Sequence, residues 1–202
     1  MRVFPMSGKD LLPRGMIRES GMPAEDVWGG FFDVEETLNR VQVDSRVVNA
    51  ADFACGYGTF TIPAAQRISG TMYAVDIDPG MARIVERKAR GSGLSNVRLT
   101  VSDLLREGSG LEDESVDYAM LFNILHTEEP QTLLREAFRV LRPRGRVGII
   151  HWVRDASTPR GPPLAMRPTP EQCEGWCREA GFTGSVLTTE LKPYHFGFVA
   201  GK

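Results

Sequence analysis

From residue 46 onward, short apolar runs alternate with longer stretches whose apolar positions recur three and four residues apart. The runs "RVVNAADF", "TMYAVDI", "NVRLTVSD", "SVDYAMLFNIL" and "RVGIIHWV" read as strands. Between them, "TFTIPAAQRI", "PGMARIVERKARGSG" and "EPQTLLREAFRVL" read as helices, the second opened by Pro79 and closed by Gly91 or Gly93. In the third, Leu133, Leu134, Ala137, Phe138 and Leu141 share one face, and "RPRG" is a turn into the fifth strand. Strict alternation of this kind predicts a parallel sheet with helices on both faces. The ending breaks the pattern. After the helix "TPEQCEGWCREAGF" come "SVLTTEL" and "YHFGFVA" with only Lys192 and Pro193 between them, too short a link for a parallel crossover. The predicted fold is α/β and doubly wound, a mostly parallel seven-stranded sheet with an antiparallel last strand.

Two segments fall outside this alternation. Residues 23–43 predict one or two amphipathic helices broken at Gly29–Gly30, and residues 155–170 are a Pro-rich loop after strand five. We divide the chain into a helical lid segment, residues 1–45, and a ligand-binding domain, residues 46–202.

Composition narrows the function classes. The chain has 202 residues, 42% apolar and 25% charged, with a net charge of −2, so no basic excess suggests nucleic acid. No apolar run reaches membrane-spanning length, and the start has no signal-peptide core, which predicts a cytoplasmic protein. Three cysteines do not make a disulfide framework. Cys173 and Cys177 share a helix face without a second ligand pair, so core packing is expected there and no metal site is assigned.

Strand one ends in "DFACGYGTF", an acid followed by bare backbone. In an open parallel sheet, ligands bind beyond the carboxyl ends of the strands, where the strand order reverses. A phosphate loop needs Lys followed by Ser or Thr after its second glycine, which is absent here. A dinucleotide fingerprint needs a third glycine or alanine where Thr61 stands. The missing small residue argues against close packing under a pyrophosphate. A pair of glycines alone is a weak signal, however, and leaves a dinucleotide or a nucleoside such as S-adenosylmethionine open.

With four further segments, this stretch resembles the class I S-adenosylmethionine-dependent methyltransferases, in particular the small-molecule branch that includes quinone-ring C-methyltransferases. "VVNAADFACGYGTF", "YAVDIDPGM", "LTVSDLL", "VDYAMLFNILHTEEP" and "LLREAFRVLRPRGRVGIIHW" are similar to that family's motifs in the same order. The chain departs twice: Ala54 replaces the first motif glycine, and the usual Pro-Gly-Gly turn reads Pro143, Arg144, Gly145. The resemblance implies a Rossmann-like methyltransferase fold with S-adenosyl-L-methionine as cofactor and a small-molecule acceptor. It places the cofactor's methionine and ribose over Ala54, Gly56 and Gly58, with Asp52 and Asn123 toward the amino group. Asp76 would accept the ribose hydroxyls, Ile77 would pack on the adenine, and Asp103 with the Leu104 N–H would meet the adenine edge. Loss of Asp76 is expected to weaken cofactor binding and leave the fold alone.

His126, His151 and His195 all fall at the edge where acceptors would sit. His126 and His151 are candidates for a catalytic base, while His195, Trp28 and Phe32 are candidates for acceptor binding. Arg160 and Arg167 suit either an anionic acceptor or plain solvation, and solvation is the expectation. The rival readings are an NAD-type oxidoreductase, a non-catalytic S-adenosylmethionine-binding module and, more remotely, an arsenite methyltransferase. The sequence leaves the acceptor and the oligomeric state open.

Overall fold

The computed structural model describes residues 24–155, 157–184 and 189–202. Seven strands form one sheet in the order β3-β2-β1-β4-β5-β7-β6: β1 Ala50–Phe53, β2 Met72–Asp76, β3 Val97–Val101, β4 Val116–Phe122, β5 Leu141–Trp152, β6 Thr189–Leu191 and β7 His195–Gly201. The pairs from β3 through β5 are parallel, and β7 runs antiparallel to both β5 and β6. The expected antiparallel last strand is therefore present, set one place in from the edge. Part of "SVLTTEL" lies outside the described residues.

The helices are α1 Glu25–Gly29, α2 Val34–Arg40, α3 Thr61–Arg67, α4 Pro79–Gly91, α5 Pro130–Val140 and α6 Pro170–Glu179. Alternation along each strand sorts the core onto two faces. In β4, Ala119 and Leu121 join Leu133, Leu134 and Ala137 of α5 and Cys173 and Cys177 of α6. Tyr118, Met120 and Phe122 point the other way, to Leu38 of α2 and Ala64 and Ala65 of α3. The two cysteines are buried core residues, as expected from their shared helix face.

Two local features explain residues that periodicity could not. Gly148 in β5 is bare because Tyr118 stands over it; a Cβ there would lie 2.0 Å from the Tyr118 hydroxyl oxygen. That hydroxyl donates to the Val41 carbonyl, fastening the end of α2 to the sheet. The expected turn before strand five is instead absorbed into it. Val116 faces Leu141 and Tyr118 faces Arg146, so residues 142–145 bulge between the two rungs, with Arg144 at φ +68°. α1 ends at Gly29 and α2 begins at Val34, so the helical segment breaks at Gly29–Gly30, as the pattern implied. No helix among the described residues is long and apolar enough to cross a membrane.

Candidate active site

The chain leaves β1 toward β2 on one side and reaches β4 on the other, so the order reverses between β1 and β4. Both strands end there in left-handed backbone. After β1, Ala54, Gly56 and Gly58 have φ of +60°, +51° and +72°; after β4, Asn123 has φ +58°. Ala54 thus keeps the conformation of the glycine it replaces, at a cost of roughly 1–2 kcal/mol for an L-residue. At Gly58 a Cβ would also press to 3.0 Å from Val85 of α4. The result is a tight run of left-handed, largely buried main chain at the switch point.

Two buried acids hold this loop in place. Asp76, at the tip of β2, accepts from the Gly56 N–H at 2.8 Å and from the Asp78 N–H at 2.9 Å. Its carboxylate is therefore structural as well as available, and the expectation that its loss would leave the fold alone is corrected. Burial raises its pKa and the backbone N–H bonds work against that rise. Asp52, at the end of β1, accepts from the Thr61 hydroxyl at 2.6 Å. Burial dominates there too and pushes the carboxyl up to about 7; the Thr61 bond lowers it and the Asp76 charge raises it further. Thr61, read in the sequence only as a missing small residue, is thus the hydroxyl partner of Asp52.

Asn123 is buried, and both its amide oxygen and its amide nitrogen lack partners among the described residues. A buried amide with nothing to bond costs about 1–3 kcal/mol, so its position calls for a ligand. Asp103 curls onto its own loop, accepting from the Leu105 N–H at 3.1 Å, with Arg106 3.8 Å away. Its second oxygen keeps acceptor capacity. Ile77 is half-buried, and the Leu104 side chain is buried in the core while its backbone belongs to the same turn. Together these residues offer anionic acceptors for an ammonium and a diol, and apolar cover for a flat base.

The structure divides the histidines between the two faces of the sheet. His126 and His151 lie on the α5–α6 side, their ring centroids 5.5 Å apart. Burial pushes them down to about 4 and about 3, so both are uncharged at neutral pH. His151 Nδ1 lies 3.4 Å from the Trp152 carbonyl; a proton on that nitrogen leaves Nε2, which has no partner among the described residues, as an acceptor. His195 lies on the opposite face, its ring between Phe32 at 4.4 Å and Trp152 at 4.3 Å. Trp28, Phe31 and Phe32 from α1 and the turn after it cover that face, with Trp28 6.3 Å from Trp152. Lys88 of α4 links the two parts, bonding the Tyr57 carbonyl at 2.6 Å and pairing with Glu25 of α1.

The Pro-rich loop corrects one expectation outright. Arg167 is not solvated: it is 5% exposed. Its Nε donates to the Pro162 carbonyl at 2.8 Å, Nη1 to the Val153 and Asp155 carbonyls and the Thr158 hydroxyl, and Nη2 to the Arg160 carbonyl at 3.1 Å. The guanidinium also stacks over Trp152 at 5.6 Å. One side chain therefore organises the loop, whereas Arg160 is exposed as expected.

Known proteins are similar to this chain in sequence and fold. Residues 50–145 match the family described as a methyltransferase domain. A demethylmenaquinone methyltransferase of Geobacillus sp. is 29% identical over 116 residues, 56% of this chain and 48% of that protein. The demethylmenaquinone methyltransferase of Lactobacillus johnsonii is 31% identical over 127 residues, 59% of this chain and 50% of that protein. The chain spans about half the length of these curated relatives. A SAM-dependent methyltransferase structure from Aquifex aeolicus has the same fold, with a TM-score of 0.75 at 24% identity, covering 94% of this chain and 98% of that one.

Proposed function

From the premise that this chain carries a class I methyltransferase domain, we propose that it transfers a methyl group from S-adenosyl-L-methionine to a small-molecule acceptor. The observation that carries the proposal is Asn123. Its unpartnered, buried amide stands at the switch point with the left-handed 54–58 backbone and the Asp52–Asp76 pair.

The residues present fit the cofactor in this reading. Asp52, with the Asn123 carbonyl, receives the ammonium of the methionine end; Ala54, Gly56 and Gly58 let the backbone approach it. The remaining lone pairs of Asp76 take the ribose hydroxyls. Ile77 covers the adenine, and Asp103 and the Leu104 N–H bond its edge. When bound, the cofactor supplies an electrophilic methyl group on a sulfonium. The chain's own contribution is to fix the acceptor in line and keep water out. The aromatic cover from Trp28 and Phe32, with His195, does the second. In this reading His151 Nε2, unpartnered among the described residues, accepts the proton of an acceptor hydroxyl; burial makes it a weak base, so positioning carries most of the rate. A cytoplasmic location belongs to the same proposal.

The test is calorimetry with S-adenosylmethionine, S-adenosylhomocysteine and NAD. The first two are expected to bind in the micromolar range and NAD not at all. Tight binding of NAD alone would replace this reading with that of an oxidoreductase.

A further inference from the structure

The loop after β4 and the loop after β5 face each other across a cleft of about 430 Å³. His126, Thr127, Arg154, Arg167, Gln172 and Trp176 are among the residues that line it. Its charges are unbalanced. All the bonding partners of Arg167 are neutral carbonyl or hydroxyl oxygens, and it forms no ion pair among the described residues. The nearby Asp155 carboxylate is turned to the Ser157 N–H. One Nη2 hydrogen of Arg167 keeps no acceptor among the described residues. A buried guanidinium with no carboxylate bonded to it, the Asp155 charge acting on it only through space, is costly, so a group that bonds it with a negative charge is stabilised in return. Arg154 lines the same cleft, exposed and without an ion pair or hydrogen bond among the described residues. Against these two cations the cleft lining offers one carboxylate, Glu128, which is exposed.

The cleft is also short of hydrogen-bond partners. His126 Nδ1 and the Thr127 hydroxyl are buried and unpartnered among the described residues, while Trp176 and Met166 give an apolar wall. The histidines add no charge, being held neutral by burial.

We propose that this cleft binds a small anionic molecule bearing a carboxylate or phosphate on an apolar body, and that this is the methyl acceptor. Arg154 and the open side of Arg167 hold the anionic group; His126 and Thr127 take the remaining polar contacts. The role as acceptor rests on the methyltransferase reading, whereas anion binding itself does not.

The experiment uses the full chain, with and without S-adenosylhomocysteine, titrated with benzoate and phenyl phosphate and with their neutral counterparts benzamide and benzyl alcohol. At least one anion is expected to bind roughly tenfold more tightly than its neutral counterpart, a preference of the size that charge-assisted bonds give. The preference is expected to shrink as salt rises from about 50 mM to about 500 mM. Arg154→Ala is expected to remove most of it while leaving S-adenosylhomocysteine affinity and thermal stability unchanged. Anions and neutral molecules binding alike, no anion binding at all, or a preference that survives Arg154→Ala would each overturn the proposal. Benzoate binding without any S-adenosylhomocysteine binding would instead sink the methyltransferase reading and leave the anion site standing.

Discussion

Asp52→Asn offers a direct test of how burial controls this site. In the folded protein the Asp52 carboxyl is pushed from 3.8 up to about 7. A folded pKa above the unfolded one favours the protonated form. The associated stability is therefore complete below pH 3.8 and is lost as pH rises through about 7. Three pKa units correspond to about 4 kcal/mol over the full range. Between pH 5 and pH 7.5 the wild type should lose about 2.5 kcal/mol relative to an Asn variant, which keeps an oxygen for the Thr61 hydroxyl but cannot ionise. Urea unfolding of both proteins at the two pH values measures this, because titrations elsewhere in the chain cancel in the difference. The same substitution bears on the cofactor. If the ionised carboxylate receives the ammonium, S-adenosylhomocysteine affinity should climb with pH up to about 7 in the wild type and stay flat in Asp52→Asn. Parallel stability curves for the two proteins would refute the claim that Asp52 is strained by burial.

Four other outcomes follow from the geometry. Asp76→Ala leaves two backbone N–H groups without acceptors and should cost about 2–4 kcal/mol of stability as well as cofactor affinity; a calorimetric scan showing an unchanged Tm would contradict this. Asn123→Gly keeps the left-handed backbone and removes only the unpartnered amide, so unfolding stability should shift by less than about 1 kcal/mol while S-adenosylhomocysteine affinity falls roughly tenfold. Gly148→Ala drives a Cβ into the Tyr118 hydroxyl and should destabilise by about 3 kcal/mol or more, read by denaturant midpoint, with Tyr118→Phe in the same chain failing to rescue it fully. The Trp28→Ala, Phe32→Ala double variant should bind S-adenosylhomocysteine within about threefold of wild type yet lose most methyl transfer; full turnover would remove these rings from the closing apparatus.

The sheet was largely legible because its signals are local. Apolar runs separated by helical periodicity, and a two-residue link at Lys192–Pro193, fix order and direction without knowledge of tertiary contacts. The glycine loop was legible for the same reason, since "ACGYG" advertises its backbone directly. What could not be read were pairings between side chains and loop groups that no periodicity links. Thr61 looked like a missing glycine until its hydroxyl was seen on Asp52, nine residues earlier. Arg167 looked like one more surface arginine in a polar loop, because nothing in "DASTPRGPPLAMRPTP" says that the loop's carbonyls converge on it. The histidines were placed at the right edge, but the face each one takes depends on the pleat of β5 and β7, where His151 sits opposite Phe196 and Trp152 opposite His195.

The aromatic cover has an optical consequence. The indoles of Trp28 and Trp152 lie 6.3 Å apart at 59°, close enough for their excited states to couple, and the Arg167 cation sits over the second ring. Trp176, on α6, packs against the opposite face of the sheet and takes no part in this pair. If α1 lifts, the coupled pair separates and its near-ultraviolet dichroism collapses. The Trp28–Trp152 pair is therefore an unlabelled gauge of any movement of α1, readable on the stopped-flow timescale.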